Sequence, residues 1–360
     1  MLNKTVIIFN PSIEGGGVEK NMFIIGNYLC HKINNIKLIS SNYQNNKFSK
    51  KIKVINPEIF QPKSRVGRYL VCIPLLIKEI IKSKNVIVFS FQANLYATLI
   101  CFLLRIPIVI RANASPTSWA NSFAKRFIYK IFYKYPKKII VNSYDFKKQM
   151  KNILNLNSIC IYNPLNKIFI EKESKKKINL NFYKKTSLKI ISIGRLTDQK
   201  NHISILKALK RIKNQINFKL IILGKGKNKN KLLDFINKNH LIKNVKIINY
   251  KKNPFPYLLK ANLFVLSSKY EGLPNILLES MVLKKFIISS NCPTGPSEIL
   301  KNGKFGLLYK SDKFLDLSKK IIFFYKNRGL CQKKTIQAYN ALDRFDSNIN
   351  LDKYLKVFKF

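Results

Sequence analysis

The chain has 360 residues and a formal net charge of +50, with 46% hydrophobic and 12% aromatic residues. This length suits two domains of ordinary size, and the apolar content excludes a disordered or fibrous chain because it can fill two cores. Only nine of the 67 basic residues are Arg, which argues against a nucleic-acid partner because bidentate recognition of bases and phosphates favours Arg. We attribute the charge mainly to compositional drift and, as a second explanation, to an anionic partner surface.

The sequence opens directly with a strand, and its first apolar run is too short for a secretory signal. The most apolar later stretch, residues 97–110, contains Arg105 and Pro107 and is shorter than the ~20 residues of a membrane-spanning helix. We therefore expect a cytoplasmic protein. Its six cysteines and three histidines show no ligand spacing, which predicts neither disulfides nor a bound metal nor a cofactor.

The first half of the sequence alternates strands with helices. The predicted strands are TVIIF, IKLIS, NVIVFS, IPIVIR and KKIIVNS, and the predicted helices cover about residues 18–32, 69–82, 93–104 and 122–133. This alternation predicts a parallel, doubly wound sheet, and the continuous Val and Ile of the strands indicate burial on both faces.

A lysine-rich stretch at residues 171–187 interrupts the apolar pattern, which then restarts with LKIISIG. We predict an α/β protein of two doubly wound, Rossmann-like domains: residues 1–170, a linker at 171–187, and residues 188–339. A C-terminal helix at about 340–360 is expected to pack on the first domain. Because open parallel sheets bind ligands at the carboxyl ends of their strands, two such domains facing each other predict a central cleft.

The segment SSKYEGLPNILLESM follows a strand and opens a helix. Its free backbone amides can cradle a diphosphate, with Glu271 beside a sugar and Glu279 accepting hydrogen bonds from a ribose diol. The alternative is that Glu271 only complements the helix dipole and that Glu279 is a solvated helix residue. The donor-binding residues predicted here are Gly272, Leu273, Pro274, Asn275 and Glu279.

Two further segments follow strands of the second half. In SIGRLTDQKN, Arg195 and Lys200 can neutralise a leaving diphosphate, or can belong to a solvated basic face. In LGKG, Gly224 and Gly226 indicate either a phosphate contact or only a tight strand-to-helix turn.

In the first half, EGGGVEK places Gly16 and Gly17 between a strand and a helix, where backbone can approach a phosphate or an acceptor. Further on, SFAKRFIYKIFYKYPKK interleaves Lys and Arg with Phe, Tyr and Ile at near-helical spacing. Such a helix can lie on an anionic membrane surface, and the alternative is an ordinary amphipathic helix with its apolar face in the core.

Taken together, GGGVEK, SIGRLTDQKN, LGKG, the E-x7-E string from Glu271 to Glu279 and CPTGPSEIL resemble glycosyltransferase family 4. The resemblance implies the GT-B architecture and retaining, metal-independent transfer from a UDP- or GDP-linked sugar. It assigns diphosphate neutralisation to Arg195 and Lys200, the sugar to Glu271 and the ribose to Glu279. It also assigns the nucleotide base to the turn from Asn249 to Pro254, which includes Tyr250.

Many members of this family carry a His in the first domain, where this sequence reads RANASP. A catalytic His is therefore not transferred, and Asn113 is the residue proposed to contact the sugar instead. The strings RANASPTSW and CPTGPSEIL resemble bacterial enzymes that extend O-antigen, capsule or lipid-linked oligosaccharides. This implies a glycan acceptor carried on undecaprenyl diphosphate and contact with the inner face of the cytoplasmic membrane.

The sequence therefore predicts a hexosyltransferase or N-acetylhexosaminyltransferase. A nucleotide-sugar epimerase of the same architecture is one alternative, but it needs additional acids and histidines to move protons. A basic nucleic-acid-binding protein is the other alternative, and it predicts binding that depends steeply on salt.

Overall fold

The computed structural model describes residues 2–43, 48–57, 62–120, 122–183 and 187–359. The chain forms two compact units, one of residues up to Pro164 together with those from Ser347, the other of Leu165–Asp346. We call them the first and the second unit.

The first unit contains a parallel sheet of seven strands within the described residues, in the order β3-β2-β1-β4-β5-β6-β7. Its strands are β1 (Leu2–Phe9), β2 (Ile33–Ile39), β3 (Ile52–Ile55), β4 (Val86–Ser90), β5 (Ile108–Arg111), β6 (Lys138–Val141) and β7 (Ile159–Cys160). Its helices up to Pro164 are α1 (Gly17–Leu29), α2 (Arg65–Ile81), α3 (Asn94–Leu103), α4 (Pro116–Trp119), α5 (Phe123–Phe132) and α6 (Tyr144–Leu154).

The central strands of this sheet are buried on both faces because they are almost purely apolar. In β1, Ile7 pairs with Val88 of β4 and Ile8 pairs with Leu38 of β2, and all four side chains are buried. Serines at the helix starts satisfy backbone amides there: the Ser143 hydroxyl accepts a hydrogen bond from the Phe146 amide at 3.1 Å. The predicted parallel, doubly wound sheet is confirmed.

The second unit contains a parallel sheet of six strands in its described part, ordered β10-β9-β8-β11-β12-β13. Its strands are β8 (Leu188–Ile193), β9 (Phe218–Leu223), β10 (Val245–Ile248), β11 (Leu263–Leu266), β12 (Phe286–Ser290) and β13 (Leu307–Tyr309). Its helices are α7 (Lys167–Ser174), α8 (His202–Ile212), α9 (Lys229–Lys238), α10 (Phe255–Leu259), α11 (Asn275–Val282), α12 (Pro296–Ile299), α13 (Phe314–Lys326) and α14 (Arg328–Asn340), followed by a 3-10 helix (Ala341–Phe345). In both sheets the strand order changes direction beside the first strand, as in Rossmann folds.

The last helix, α15 (Ser347–Lys356), belongs to the first unit. Tyr354 and Phe358 are fully buried there, and the Phe358 ring packs edge-on against Phe89 of β4 at 5.2 Å between centroids. The second unit is thus an uninterrupted segment inserted between α15 and the rest of the first unit.

The division between the units falls at Pro164, six residues before the predicted boundary at residue 170. The predicted linker at 171–187 begins inside α7, which packs against α10 and α11 of the second unit. The Asn253 side-chain amide donates to the Glu173 carbonyl at 2.9 Å, and Ile170 and Ser174 are buried. The charged residues of α7 give the segment the composition of a linker although Ile170 and Ser174 are buried. Residues 184–186 of the predicted linker lie outside the described residues.

Helix α5 differs from the amphipathic core helix that we considered, because none of its ten residues is buried. The helices in the described part of the chain include none that is long and apolar enough to span a bilayer.

Candidate functional site

The loops that follow β8, β9, β11 and β12 meet at the carboxyl edge of the second sheet. The Leu196 amide donates to the Lys225 carbonyl at 2.9 Å, which joins the first two loops. The Lys269 amide donates to the Gln199 carbonyl at 2.8 Å, which joins the first loop to the third. The predicted site segments therefore come from four places in the sequence and lie together.

Lys200 and Glu271 form an ion pair at this edge, with 2.5 Å between Nζ and Oε1. The side chains are 15% and 9% exposed, so most of the pair is shielded from water. Attraction between opposite charges strengthens as water is excluded. The lysine ammonium has three N–H donors, which is enough to hold Glu271 and still donate to a phosphate oxygen.

Arg195 is exposed and is linked to the same loop through Gln199. Its guanidinium donates to Gln199 Oε1 at 3.1 Å, and the Gln199 side-chain amide donates to the Tyr270 carbonyl at 3.0 Å. The Ser267 hydroxyl also donates to the Lys200 carbonyl at 2.7 Å. Gln199 thus fixes the loop that carries both cations against the loop that carries Glu271, a role that the sequence did not indicate.

The two glycines of LGKG are required by the packing between two of these loops. A Cβ on Gly224 would lie 1.9 Å from the Gly194 carbonyl oxygen. Gly226 has φ +155°, and a Cβ there would lie 2.5 Å from the Leu196 carbonyl oxygen. The close approach of these two loops is sufficient to explain both glycines, as in the tight-turn interpretation.

The CPTG turn after β12 supports the segment around Glu271. The Thr294 hydroxyl donates to the Glu271 carbonyl at 2.5 Å, and Gly295 has φ +87°. A Cβ on Gly295 would lie 2.3 Å from the Gly272 carbonyl oxygen. Thr294 and Gly295 therefore hold the backbone of the Glu271 segment in place, and a Thr-Gly pair after a strand was the signal available in the sequence.

Helix α11 begins at Asn275, and Pro274 precedes it as the N-cap instead of lying in the first turn. Proline supplies no side-chain cap to the first amides of α11, and the Leu277 amide donates to the Pro274 carbonyl at 3.0 Å. Leu273 and Glu279 are buried, and Glu279 is only 6% exposed. The interpretation of Glu279 as a solvated helix residue is therefore wrong.

Two further titratable side chains near the ion pair are neutral. Burial, and then the Lys200 charge, lowers the pKa of His202 to about 4, and Ser192 Oγ lies 3.2 Å from its Nδ1. Burial, followed by the Glu271 charge, raises the pKa of the Cys292 thiol to about 12. Neither side chain adds charge to this edge of the sheet at neutral pH.

The predicted base-binding residues Asn249 and Tyr250 lie beside the loop that follows β9. Lys229 donates to the Asn249 side-chain oxygen at 3.1 Å, and the Lys225 ammonium lies 5.6 Å from the centroid of the Tyr250 ring. The Tyr250 ring is 45% exposed and offers an aromatic face.

Gly16 and Gly17 belong to the first unit, at the start of α1. Gly16 is the N-cap, and a Cβ there would lie 2.9 Å from Glu19 Oε2. Glu19 is buried, and its Oε1 accepts a hydrogen bond from the Gln92 side-chain amide at 3.4 Å. A carboxylate already complements this helix end, so the position suits hydroxyl groups better than phosphate.

Arg111 is fully buried at the end of β5 and is surrounded by neutral partners. Its Nε donates to the Tyr354 hydroxyl of α15 at 2.8 Å, its Nη2 donates to Asn163 Oδ1 at 2.6 Å, and its Nη1 donates to Asn113 Oδ1. The Asn113 amide also donates to the Phe91 carbonyl at 2.7 Å. Asn113 thus has a structural role that the sequence did not indicate, and its predicted contact with the sugar stays a prediction.

Residues 172–341 match the family described as glycosyl transferases, group 1. The second unit, with its parallel sheet and its ion pair at the carboxyl edge, is therefore a glycosyltransferase domain. The fold as a whole is similar to that of Anabaena HepE in complex with UDP and glucose, with a TM-score of 0.81 and 15% identity over 98% of this chain and 99% of that one. The predicted fold class of two Rossmann-like α/β units is therefore confirmed, and the structural neighbours of this fold are GT-B glycosyltransferases.

Two relatives are similar to this chain in amino-acid sequence. An uncharacterized glycosyltransferase of Methanocaldococcus jannaschii is 39% identical over 202 residues, which cover 51% of this chain and only 50% of the relative. A Campylobacter jejuni enzyme is 26% identical over 96% of both chains. The name of that enzyme is GalNAc-α-(1→4)-GalNAc-α-(1→3)-diNAcBac-PP-undecaprenol α-1,4-N-acetyl-D-galactosaminyltransferase.

Proposed function

We propose that the protein is a retaining glycosyltransferase of the family 4 type that works without a metal or another cofactor. It moves a hexose or N-acetylhexosamine from a UDP- or GDP-linked donor to a glycan acceptor carried on undecaprenyl diphosphate. It acts in bacterial surface-polysaccharide or glycoconjugate synthesis, at the inner face of the cytoplasmic membrane. The observation that carries this proposal is the shielded Lys200–Glu271 pair beside the start of α11.

In this proposal the donor diphosphate lies on the first amides of α11 and is neutralised by Lys200 and Arg195. As the bond between the sugar C1 and the diphosphate oxygen breaks, its electron pair moves to that oxygen, and preorganised cations stabilise the growing negative charge. The acceptor oxygen then bonds to C1 and gives its proton to the departing diphosphate oxygen. Both cations are fixed before the donor arrives, because Glu271 holds Lys200 and Gln199 holds Arg195.

Glu271 is the residue proposed to contact the sugar, and Glu279 the ribose. Thr294 and Gly295 hold the Glu271 backbone, and Lys200 Nζ pairs with the Glu271 carboxylate. The buried Glu279 carboxylate suits a ribose diol, because its two oxygens can each accept a hydrogen bond from one of the two hydroxyl groups.

The donor is identified by thermal unfolding of the full chain with a panel of UDP- and GDP-linked sugars. Free ligand at about 100 times its Kd stabilises a protein by about 2.7 kcal/mol, so the true donor raises Tm measurably. We expect one base and one sugar to stand out from the panel.

Glu271 is then tested in a transfer assay with that donor. Glu271→Ala abolishes transfer while the fold is retained, and Asp234→Ala, which changes an exposed acid of the same unit, leaves transfer unchanged. Transfer at the wild-type rate by Glu271→Ala would remove Glu271 from the mechanism.

A further inference from the structure

Helices α3 and α5 of the first unit expose large apolar side chains on adjacent surfaces. We define the docking face as Tyr96, Leu99, Phe102 and Leu103 of α3 with Phe123, Phe127, Ile128 and Ile131 of α5. These side chains are between 38% and 86% exposed. Single exposed apolar residues are ordinary, but a set of this size on two neighbouring helices marks a binding surface.

The outward position of the α5 phenylalanines follows from how the helix is attached. Tyr129 packs edge-on against Trp119 at 4.3 Å between ring centroids, and the buried Tyr133 lies 5.8 Å from the same ring. These tyrosines hold one side of α5 to the unit. Phe123, Phe127 and Ile131, spaced four residues apart, then form a stripe that points away from it.

Positive charge accompanies the docking face. From Ile80 to Tyr144 the sequence contains ten Lys or Arg residues and no Asp or Glu. Lys130 of α5 and Lys134, two residues after the helix, are exposed. A cavity of about 920 Å³ lies where α3 and α5 end, and Arg105, Lys134 and Lys137 are among its lining residues.

We propose that the docking face binds an anionic lipid bilayer, with its apolar side chains in the headgroup and acyl boundary and its cations on lipid phosphates. This deepens the membrane location in the proposed function by naming the surface responsible. Apolar residues interleaved with Lys and Arg on a non-spanning helix are the pattern of interfacial membrane binding. A second copy of the chain is a poor occupant, since an isologous contact would set these cations against one another.

The test is sedimentation of the full chain with vesicles of phosphatidylglycerol and phosphatidylcholine, without donor or acceptor, at low salt. We expect binding to the anionic vesicles and about tenfold weaker binding to pure phosphatidylcholine. Phe123→Ser with Phe127→Ser, and separately Lys130→Glu with Lys134→Glu, each lowers the partition coefficient about tenfold or more. Because these variants change only exposed side chains, Tm stays near that of the wild type.

Matched exchanges in the second unit serve as controls. Leu330→Ser with Ile336→Ser alters two residues exposed by about half, and Lys210→Glu with Lys213→Glu reverses two exposed charges. Both controls keep wild-type vesicle binding. The proposal is overturned if the wild type ignores anionic vesicles, if the controls lose as much binding as the docking-face variants, or if the wild type forms a dimer that the Phe variants abolish. Transfer by the wild type to a water-soluble acceptor analogue is measured in parallel. Absence of this transfer contradicts the proposed function, whereas absence of vesicle binding alone contradicts only the docking face.

Discussion

The two units share a strand order but use the carboxyl edges of their sheets differently. In the second unit, loops from four strands meet around an ion pair, Lys200 with Glu271, that a ligand can still reach. In the first unit the end of β5 carries a buried cation, Arg111, whose neutral partners include Tyr354 of α15. Charge at the first edge thus holds the unit together, whereas charge at the second is available for chemistry. The lesson is that a charged side chain at a strand end indicates a binding site only when its partners leave it accessible.

The largest expected difference between the two edges is in activity. Lys200→Gln should lower kcat/KM about 10²- to 10³-fold, because it removes a fixed donor to the leaving diphosphate. Asn113→Ala should change kcat/KM less than about tenfold if its amide is structural. Steady-state kinetics of both variants checks this, and an equal loss for Asn113→Ala would show that the first edge also takes part in transfer.

The next effect concerns the packing of the loops in the second unit. Gly224→Ala should lower the free energy of unfolding by about 3 kcal/mol, because the new Cβ would overlap the Gly194 carbonyl oxygen. Gly329→Ala is the matched control, since no atom lies within 4 Å of a Cβ there, and it should stabilise α14 by less than about 1 kcal/mol. Urea unfolding measures both changes. Equal stability of the two variants would mean that the loops separate easily.

In the first unit, Tyr354→Phe should lower the free energy of unfolding by about 2 to 3 kcal/mol, because Arg111 loses a hydrogen-bond acceptor in a buried site. Tyr325→Phe, at a 42% exposed ring of the second unit, should have little effect. Chemical denaturation followed by circular dichroism checks this pair. Undiminished stability of Tyr354→Phe would show that Arg111 does not depend on α15.

A smaller effect is expected from pH. His202 has a folded-state pKa of about 4, below its ordinary value of 6.5, so the unfolded chain binds the proton more tightly. Stability is therefore full above pH 6.5 and falls as the pH drops toward 4, by about 2 kcal/mol between about pH 7 and pH 5. In His202→Asn this dependence should shrink, whereas His240→Asn, at an exposed residue, should retain it. Denaturant unfolding at both pH values measures the change in stability. If His202→Asn loses as much stability as the wild type between the two pH values, this histidine is excluded as the cause.

Much of the fold could be predicted because its central strands are apolar on both faces and its helices are regular. Helices α3 and α5 begin and end within one residue of the predicted ranges 93–104 and 122–133. The short strand β3 was missed, since IKVI alternates apolar residues with Lys and lies at the edge of its sheet. The end of helix α7, residues 171–174, was taken for linker because it is mostly charged and its one buried residue, Ser174, is polar.

The candidate site could be predicted only where local sequence carries the information. Glu271 and Lys200 stand in recognisable segments, and the structure brings them together. The supports of these residues, Gln199 and Thr294, act through loops distant in sequence, so their partners were not visible beforehand. The structural role of Asn113 was equally hidden in the sequence, since it depends on Arg111 and on how that guanidinium is oriented.

Helix α15 has a consequence for how the protein is made. The core of the first unit requires Tyr354 and Phe358, which the ribosome adds after the whole second unit. Domains usually fold in the order of their synthesis. Here the second unit is complete while the first still lacks a helix, so the earlier-synthesised unit is the later one to reach its native core.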